Sequence, residues 1–153
     1  MYLSTTSEAE TLRSRLTDLE FGWLLGVIET DGGIYASHRG YATLRDGTRK
    51  RRPATVTLHV ENTDLAMIER VARLLGGASL EHLAPRANAA ASWRRPTHRV
   101  RLQGRRAVSV YRELLAVPTL MPETRARIER AFEATRTDSA SPGAAVRTAG
   151  AAG

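Results

Sequence analysis

Apolar residues along this chain recur first at helical spacing and then at alternate positions, and the changes of period divide it into elements. Ser7 with Glu10 fits a capping box, and Leu12 and Leu16 follow at helical spacing. A short helix is expected over about 8–17. The stretch Asp18 to Thr30 is apolar on most faces, which predicts a buried helix with Asp18 as its cap and Gly32-Gly33 as its stop. Ile34 to Leu44 alternates and reads as a strand. Asp46-Gly47 is a turn signal, and a second strand follows over Ala54 to Glu61. In it Val56, Leu58 and Val60 point one way, and Thr55, Thr57 and His59 the other. The pair reads as one long hairpin.

Thr63-Asp64 opens the next helix, and Gly76-Gly77 closes it after Leu75. Ala78 to Leu83 is a short strand, 84–96 a polar loop, and Thr97 to Gln103 a strand with Val100 and Leu102 inward. Arg105 to Ala116 is a helix with Ala107, Val110, Tyr111 and Leu114 on one side. After Pro118 and Pro122 a last helix runs from Glu123 to about Thr135. From Asp138 onward Ser, Pro, Gly, Ala and Thr dominate, which predicts a disordered tail. The order α-β-β-α-β-β-α-α describes an α+β domain with helices on one face of an antiparallel sheet. The expected divisions are an N-terminal extension over 1–17, a domain over 18–136 and a tail over 137–153.

Composition narrows the function. The 153 residues are 42% hydrophobic, enough for one domain with a real core. Absence of cysteine excludes disulfides and cysteine-based zinc sites. No segment reads as a signal peptide or a membrane span, so a cytoplasmic protein is expected, not secreted and nucleoid-associated when bound. The charge of +7 favours an anionic partner, nucleic acid first. Lys50 is the only lysine among 23 basic residues.

Gly22, Gly26 and Thr30 lie four apart and form one small-residue row, along which another helix can approach closely. The same helix carries Glu29 and Asp31 at its C-terminal end, where the dipole disfavours acids. An acid there is either a plain helix stop or the partner of a cation. Leu24-Leu25-Gly26-Val27-Ile28-Glu29-Thr30-Asp31-Gly32 resembles the nine-residue motif of the LAGLIDADG homing endonucleases. Gly26 matches its first glycine, Glu29 and Asp31 its acids and Gly32 its last glycine. The hairpin, the Asn62-Thr63-Asp64 helix start and the later elements extend the resemblance over about 18–135. Leu25 departs from the motif's alanine, and Glu29 from its first aspartate.

The resemblance implies an αββαββα domain with a saddle-shaped sheet, acting as a homodimer on double-stranded DNA. Two motif helices would pack through Gly22, Gly26 and Glu29. Two copies of Asp31, with Thr30 beside each, would share a divalent cation such as Mg2+, since close carboxylates repel unless metal separates them. That ion would activate water and stabilise the leaving oxygen. The outer sheet face would enter the major groove through Tyr35, Ser37, Arg39, Tyr41, Thr55, Thr57, His59, Arg99 and Arg101. Arg49, Lys50, Arg51 and Arg52 would clamp phosphate. Cleaving members usually carry a basic residue, often lysine, near the start of the last helices. Here Arg125 is the nearest substitute, and a permanently charged arginine cannot act as a base. His59 or Glu61 would position water. Trp23, Trp93 and Tyr111 are assigned to packing. The implied activity is site-specific, metal-dependent phosphodiester hydrolysis; the alternatives are a non-cleaving DNA-binding regulator and an RNA-binding intron-splicing helper.

Overall fold

The computed structural model describes residues 10–38, 40–84 and 96–140, with side chains through 137. The expected Ser7 cap, Arg39, Trp93, most of the 84–96 loop and the tail beyond 140 lie outside the described residues. Helix α1 is a single turn, Leu12–Arg15, with Leu12 in the core. Helix α2 spans Asp18–Asp31. Its cap is Thr17 rather than Asp18: the Thr17 hydroxyl accepts from Glu20 N, and the Glu20 carboxylate accepts from Thr17 N. This reciprocal pair satisfies two otherwise orphaned donors, which an Asp18 cap would leave open.

The chain runs on without a loop into β1 (Gly32–Ser37), then β2 (Tyr41–Thr43), β3 (Arg49–Arg51) and β4 (Thr55–Asn62). The expected single hairpin is therefore two. β1 pairs with β4, while β2 and β3 form a separate two-stranded ribbon. The ladder breaks where Gly40 takes φ +69° and Pro53 lacks a donor, and Arg52 N instead bonds Gly40 O at 2.8 Å. The turn at Asp46-Gly47 forms as expected, with Gly47 N donating to Leu44 O at 3.0 Å and Leu44 N to Thr48 O at 2.8 Å.

Helix α3 (Leu65–Leu74) is capped by Asp64, and Gly76 and Gly77 end it in left-handed conformation. Strands β5 (Ser79–Leu83) and β6 (Thr97–Gln103) complete an antiparallel four-stranded sheet ordered β1-β4-β6-β5. Helices α4 (Arg105–Leu115) and α5 (Pro122–Ala140) follow, α5 running past its expected end near Thr135. The alternation read in the strands holds: Ile34, Val56, Leu58, Val60, Val100 and Leu102 are buried against Leu24, Ile28, Ile68, Val71 and Leu114 of the helices. Tyr111 is fully buried, and its hydroxyl donates to Thr57 O at 2.5 Å, which meets the polar need of a buried phenol. Burial pushes that hydroxyl's pKa far above its usual value. Trp23 packs as expected, with the Arg70 guanidinium 4.2 Å from its ring centre. α5 packs against β1, one of the two edge strands of the sheet, and Arg127 donates to Gly32 O there at 2.6 Å. Among the described residues no helix is long and apolar enough to cross a membrane.

Candidate nucleic-acid interface and acid site

Helix α2 buries Phe21, Leu24, Val27 and Ile28, which leaves Leu19, Gly22, Gly26 and Thr30 exposed as one stripe. Leu19 is 80% exposed. A Cβ added at Gly22 or Gly26 would meet nothing within 4 Å, so both glycines present bare backbone that no described residue covers. Each glycine costs the helix about 1 kcal/mol relative to alanine. Nothing among the described residues packs against either to offset that cost.

The stripe ends at Asp31, which is exposed. Gly32 is required immediately after it: a Cβ there would overlap the Ile28 carbonyl oxygen, which as backbone cannot swing aside. Asp31 Oδ2 accepts from Asn62 Nδ2 at 3.1 Å. Asn62 Oδ1 in turn accepts from Asp64 N at 2.9 Å, and this second bond fixes which way the amide faces. Asn62, read in the sequence only as part of a helix start, thus ties the end of α2 to the start of α3. Thr30 donates its hydroxyl back to Gly26 O at 2.9 Å, so that proton is committed to its own helix. Glu29 is half-buried, and its carboxylate accepts from Met121 N at 2.7 Å, which binds it to the entry of α5 within the chain.

The Arg125 side chain is engaged elsewhere. Its guanidinium donates to Leu115 O at 3.1 Å and Val117 O at 3.2 Å, closing the C-terminal carbonyls of α4. The basic group that reaches the acid's neighbourhood is Arg127, on Gly32 O. The repeat of buried Thr124, Ile128 and Ala131 marks the packed side of α5, and Arg127 flanks it. That signal was present in the sequence.

On the outer sheet face, register sets Gly33, Tyr35 and Ser37 beside His59, Thr57 and Thr55, with Arg101 and Arg99 across from His59 and Glu61. The His59 ring lies over Gly33, in space that a Cβ at that position would fill, with the Tyr35 ring centre 5.5 Å away. Burial and the nearby Arg99 hold its pKa below the usual histidine value, which favours the neutral ring. His59 Nδ1 and Arg101 Nε are buried without a hydrogen-bond partner.

Two expected contacts change. Thr57 is fully buried, its hydroxyl 3.4 Å from that of Ser37, and cannot reach a base edge. Tyr41, on the separate ribbon, does not continue the Tyr35–Ser37 face and carries Arg49 5.2 Å from its ring centre. Glu61 is not a free base. Arg99 donates to its Oε2 from Nη2 at 2.6 Å and from Nε at 3.0 Å, and these bonds hold Glu61 below the usual carboxylate range. Arg101 pairs with Glu81 at 3.2 Å. The four charges of this patch cancel. The ribbon carries Arg45, Arg49, Lys50, Arg51 and Arg52 against a single acid, Asp46, and Arg49 to Arg52 are exposed. Net positive charge is therefore concentrated at the ribbon, and hydrogen-bonding groups of low net charge at the sheet centre. Phosphates suit the first and base edges the second.

No protein-family model and no curated protein matches this chain. Solved structures do. An archaeal intron-encoded homing endonuclease, I-Vdi141I, complexed with DNA superposes with a TM-score of 0.55 at 17% identity, over 80% of this chain and 71% of that one. The homing endonuclease I-CvuI, in complex with its target in the presence of calcium, gives 0.51 at 17% identity, over 80% and 69%. At this identity the likeness is one of fold, and the fold is that of the LAGLIDADG homing endonucleases.

Proposed function

We propose that this chain, built on the LAGLIDADG fold, is a homodimeric, site-specific DNA endonuclease in which each chain contributes half of the acid site. The observation that carries the reading is the stripe Leu19, Gly22, Gly26 and Thr30, exposed among the described residues and leading to the exposed Asp31. A twofold pairing of two α2 helices along the stripe would offset the cost of the glycines and bring the two Asp31 carboxylates together.

A divalent ion fits the donor set only in that paired state. Asp31 offers hard oxygen, which suits magnesium, but among the described residues no three acid or histidine side chains converge. Asp31 of both chains, with phosphate oxygens of the DNA, would have to hold the ion. When bound, it supplies the charge that activates water and stabilises the leaving oxygen. The chain's own groups orient the site: Asn62 holds the Asp31 carboxylate, and Arg127 holds the adjoining Gly32 peptide. The ribbon cations bind phosphate, and Tyr35, His59, Arg99 and Arg101 face the groove. Arg99 and Arg101 exchange their glutamate partners for base edges or keep them as neutral pairs.

A second reading is a DNA-binding regulator that does not cut. Two observations favour it: the Arg125 guanidinium is engaged by backbone carbonyls, and the only lysine, Lys50, lies on the separate ribbon. Selection of bound sequences from a random duplex pool, followed by a magnesium cleavage assay on the winner, separates the two. The nuclease reading predicts a near-palindromic site that is nicked only with magnesium. A verified site bound but never nicked favours the regulator, and preference for structured RNA in competition favours a splicing helper.

A further inference from the structure

Four histidines occur in the chain, and two of them, sixteen residues apart, meet. His82 of β5 and His98 of β6 are direct cross-strand partners near the end of the edge strand. Their rings are near perpendicular at 87°, with centres 4.9 Å apart, and the two Nδ1 atoms are 2.8 Å apart. His82 is exposed and His98 half-buried, so the pair is open to solvent. At that separation both Nδ1 atoms cannot carry protons. One donates and the other accepts, and a shift of the single shared proton would leave both Nδ1 lone pairs side by side.

We propose that His82 and His98 form a binding site for a borderline divalent transition-metal ion of the zinc, copper or nickel class. Imidazole nitrogens bind such ions at about 2.0–2.1 Å, which separates two adjacent ligands by about 2.9 Å at a right angle and about 3.4 Å in a tetrahedron. To admit the ion the 2.8 Å gap opens by about 0.1 Å for a right angle or about 0.6 Å for a tetrahedron, and each ring turns so that its Nδ1 points off the N–N line toward the metal. On binding, the donor ring's Nδ1 proton moves through water to its own Nε2. Both Nδ1 lone pairs then face the metal, with no change in ligand charge. Water completes the coordination. Two nitrogens select against magnesium, which prefers oxygen, so the site is chemically separate from Asp31. In space the two are neighbours, with the pair one and two strands from the residue that holds Asp31. Asn62, His98 and His82 occupy successive strands of one cross-strand row, and Asn62, not either histidine, bonds Asp31. The bound ion would tie the edge strand β5 to β6. The proposal does not depend on nuclease activity.

Titration of the full chain with Zn2+ by calorimetry, in excess magnesium, tests it. One ion per chain is expected, with both Nδ1 resonances shifted in nitrogen-15 spectra of labelled histidine. His82→Ala or His98→Ala should each weaken binding about tenfold or more, since each leaves a single imidazole. The double variant should abolish it, and His38→Ala should leave it unchanged. Both histidines are solvent-accessible, so circular dichroism and thermal melts of the variants should match the parent without metal. Absence of zinc binding in the parent, or equal binding in the double variant, overturns the proposal.

Discussion

Replacing Gly22 and Gly26 together by alanine should change the stability of a single chain and its self-association in opposite directions. Within the chain each new methyl enters space that no described residue fills, since an added Cβ meets nothing within 4 Å at either position. Each substitution also removes the backbone entropy penalty of a helical glycine, about 1 kcal/mol. The isolated chain should therefore gain about 2 kcal/mol, or roughly 6 °C in melting temperature for a domain of this size. Across a twofold α2–α2 contact the same methyls enter a close backbone approach from both sides. Overpacking of that kind costs on the order of 1–3 kcal/mol, which weakens dimerisation about fivefold to more than a hundredfold. Thermal melts at concentrations low enough to keep the chain monomeric give the first quantity. Sedimentation velocity over a concentration series gives the second. Unchanged or tighter association would refute the assignment of this stripe to the dimer contact. A lower melting temperature in dilute solution would refute the claim that the glycines are uncovered within the chain.

Gly33→Ala should cost on the order of 1–3 kcal/mol in urea denaturation because its methyl displaces the His59 ring; in a His59→Ala background the cost should nearly vanish, and equal costs in both backgrounds would show that the ring is not the obstacle. Neutralising Arg49, Lys50, Arg51 and Arg52 should flatten the salt dependence of DNA binding, by about 0.9 in log–log slope for each phosphate that the ribbon no longer neutralises. Replacing Arg99, Arg101, Glu61 and Glu81 together by glutamine should shift the selected sequence with little change in slope, because the two ion pairs are removed with no change in net charge. Glu61 has its pKa lowered from 4.5 in the fold by the Arg99 bonds, so its contribution to stability is complete above 4.5 and is lost as pH falls from there toward the lowered value. Glu61→Gln should remove that part of the acid sensitivity, measured as urea midpoints from about pH 6 to about pH 3, and an unchanged acid profile would contradict the pairing.

Period and punctuation carried most of the fold. Strand β6 begins and ends where the alternation from Thr97 to Gln103 does, because one face of it meets a core and the other does not. The Thr17–Glu20 capping box was also legible, in the spacing Thr-x-x-Glu, and Asp18 merely stood closer to the apolar run. The split of the long hairpin was harder. Gly40 and Pro53 are local signals, but which residues abandon a ladder depends on both strands at once. The site divides in the same way. Asp31 and the glycine row are properties of one helix and were read from it. The link from Asn62 to Asp31, the diversion of Arg125 to α4 and the approach of Arg127 depend on how α3 and α5 pack, and no single segment encodes that. Glu61 looked available because its partner Arg99 lies 38 residues away in sequence and directly opposite in register.

The central claim is that Asp31 is one half of a shared metal site that cuts DNA. Parent and Asp31→Asn should be compared on one verified target, at equal occupancy, with magnesium and without. The account predicts equal binding by both and nicking only by the parent with magnesium. Cleavage by Asp31→Asn at the parent's rate, or a verified target that the parent binds but never nicks, would contradict it.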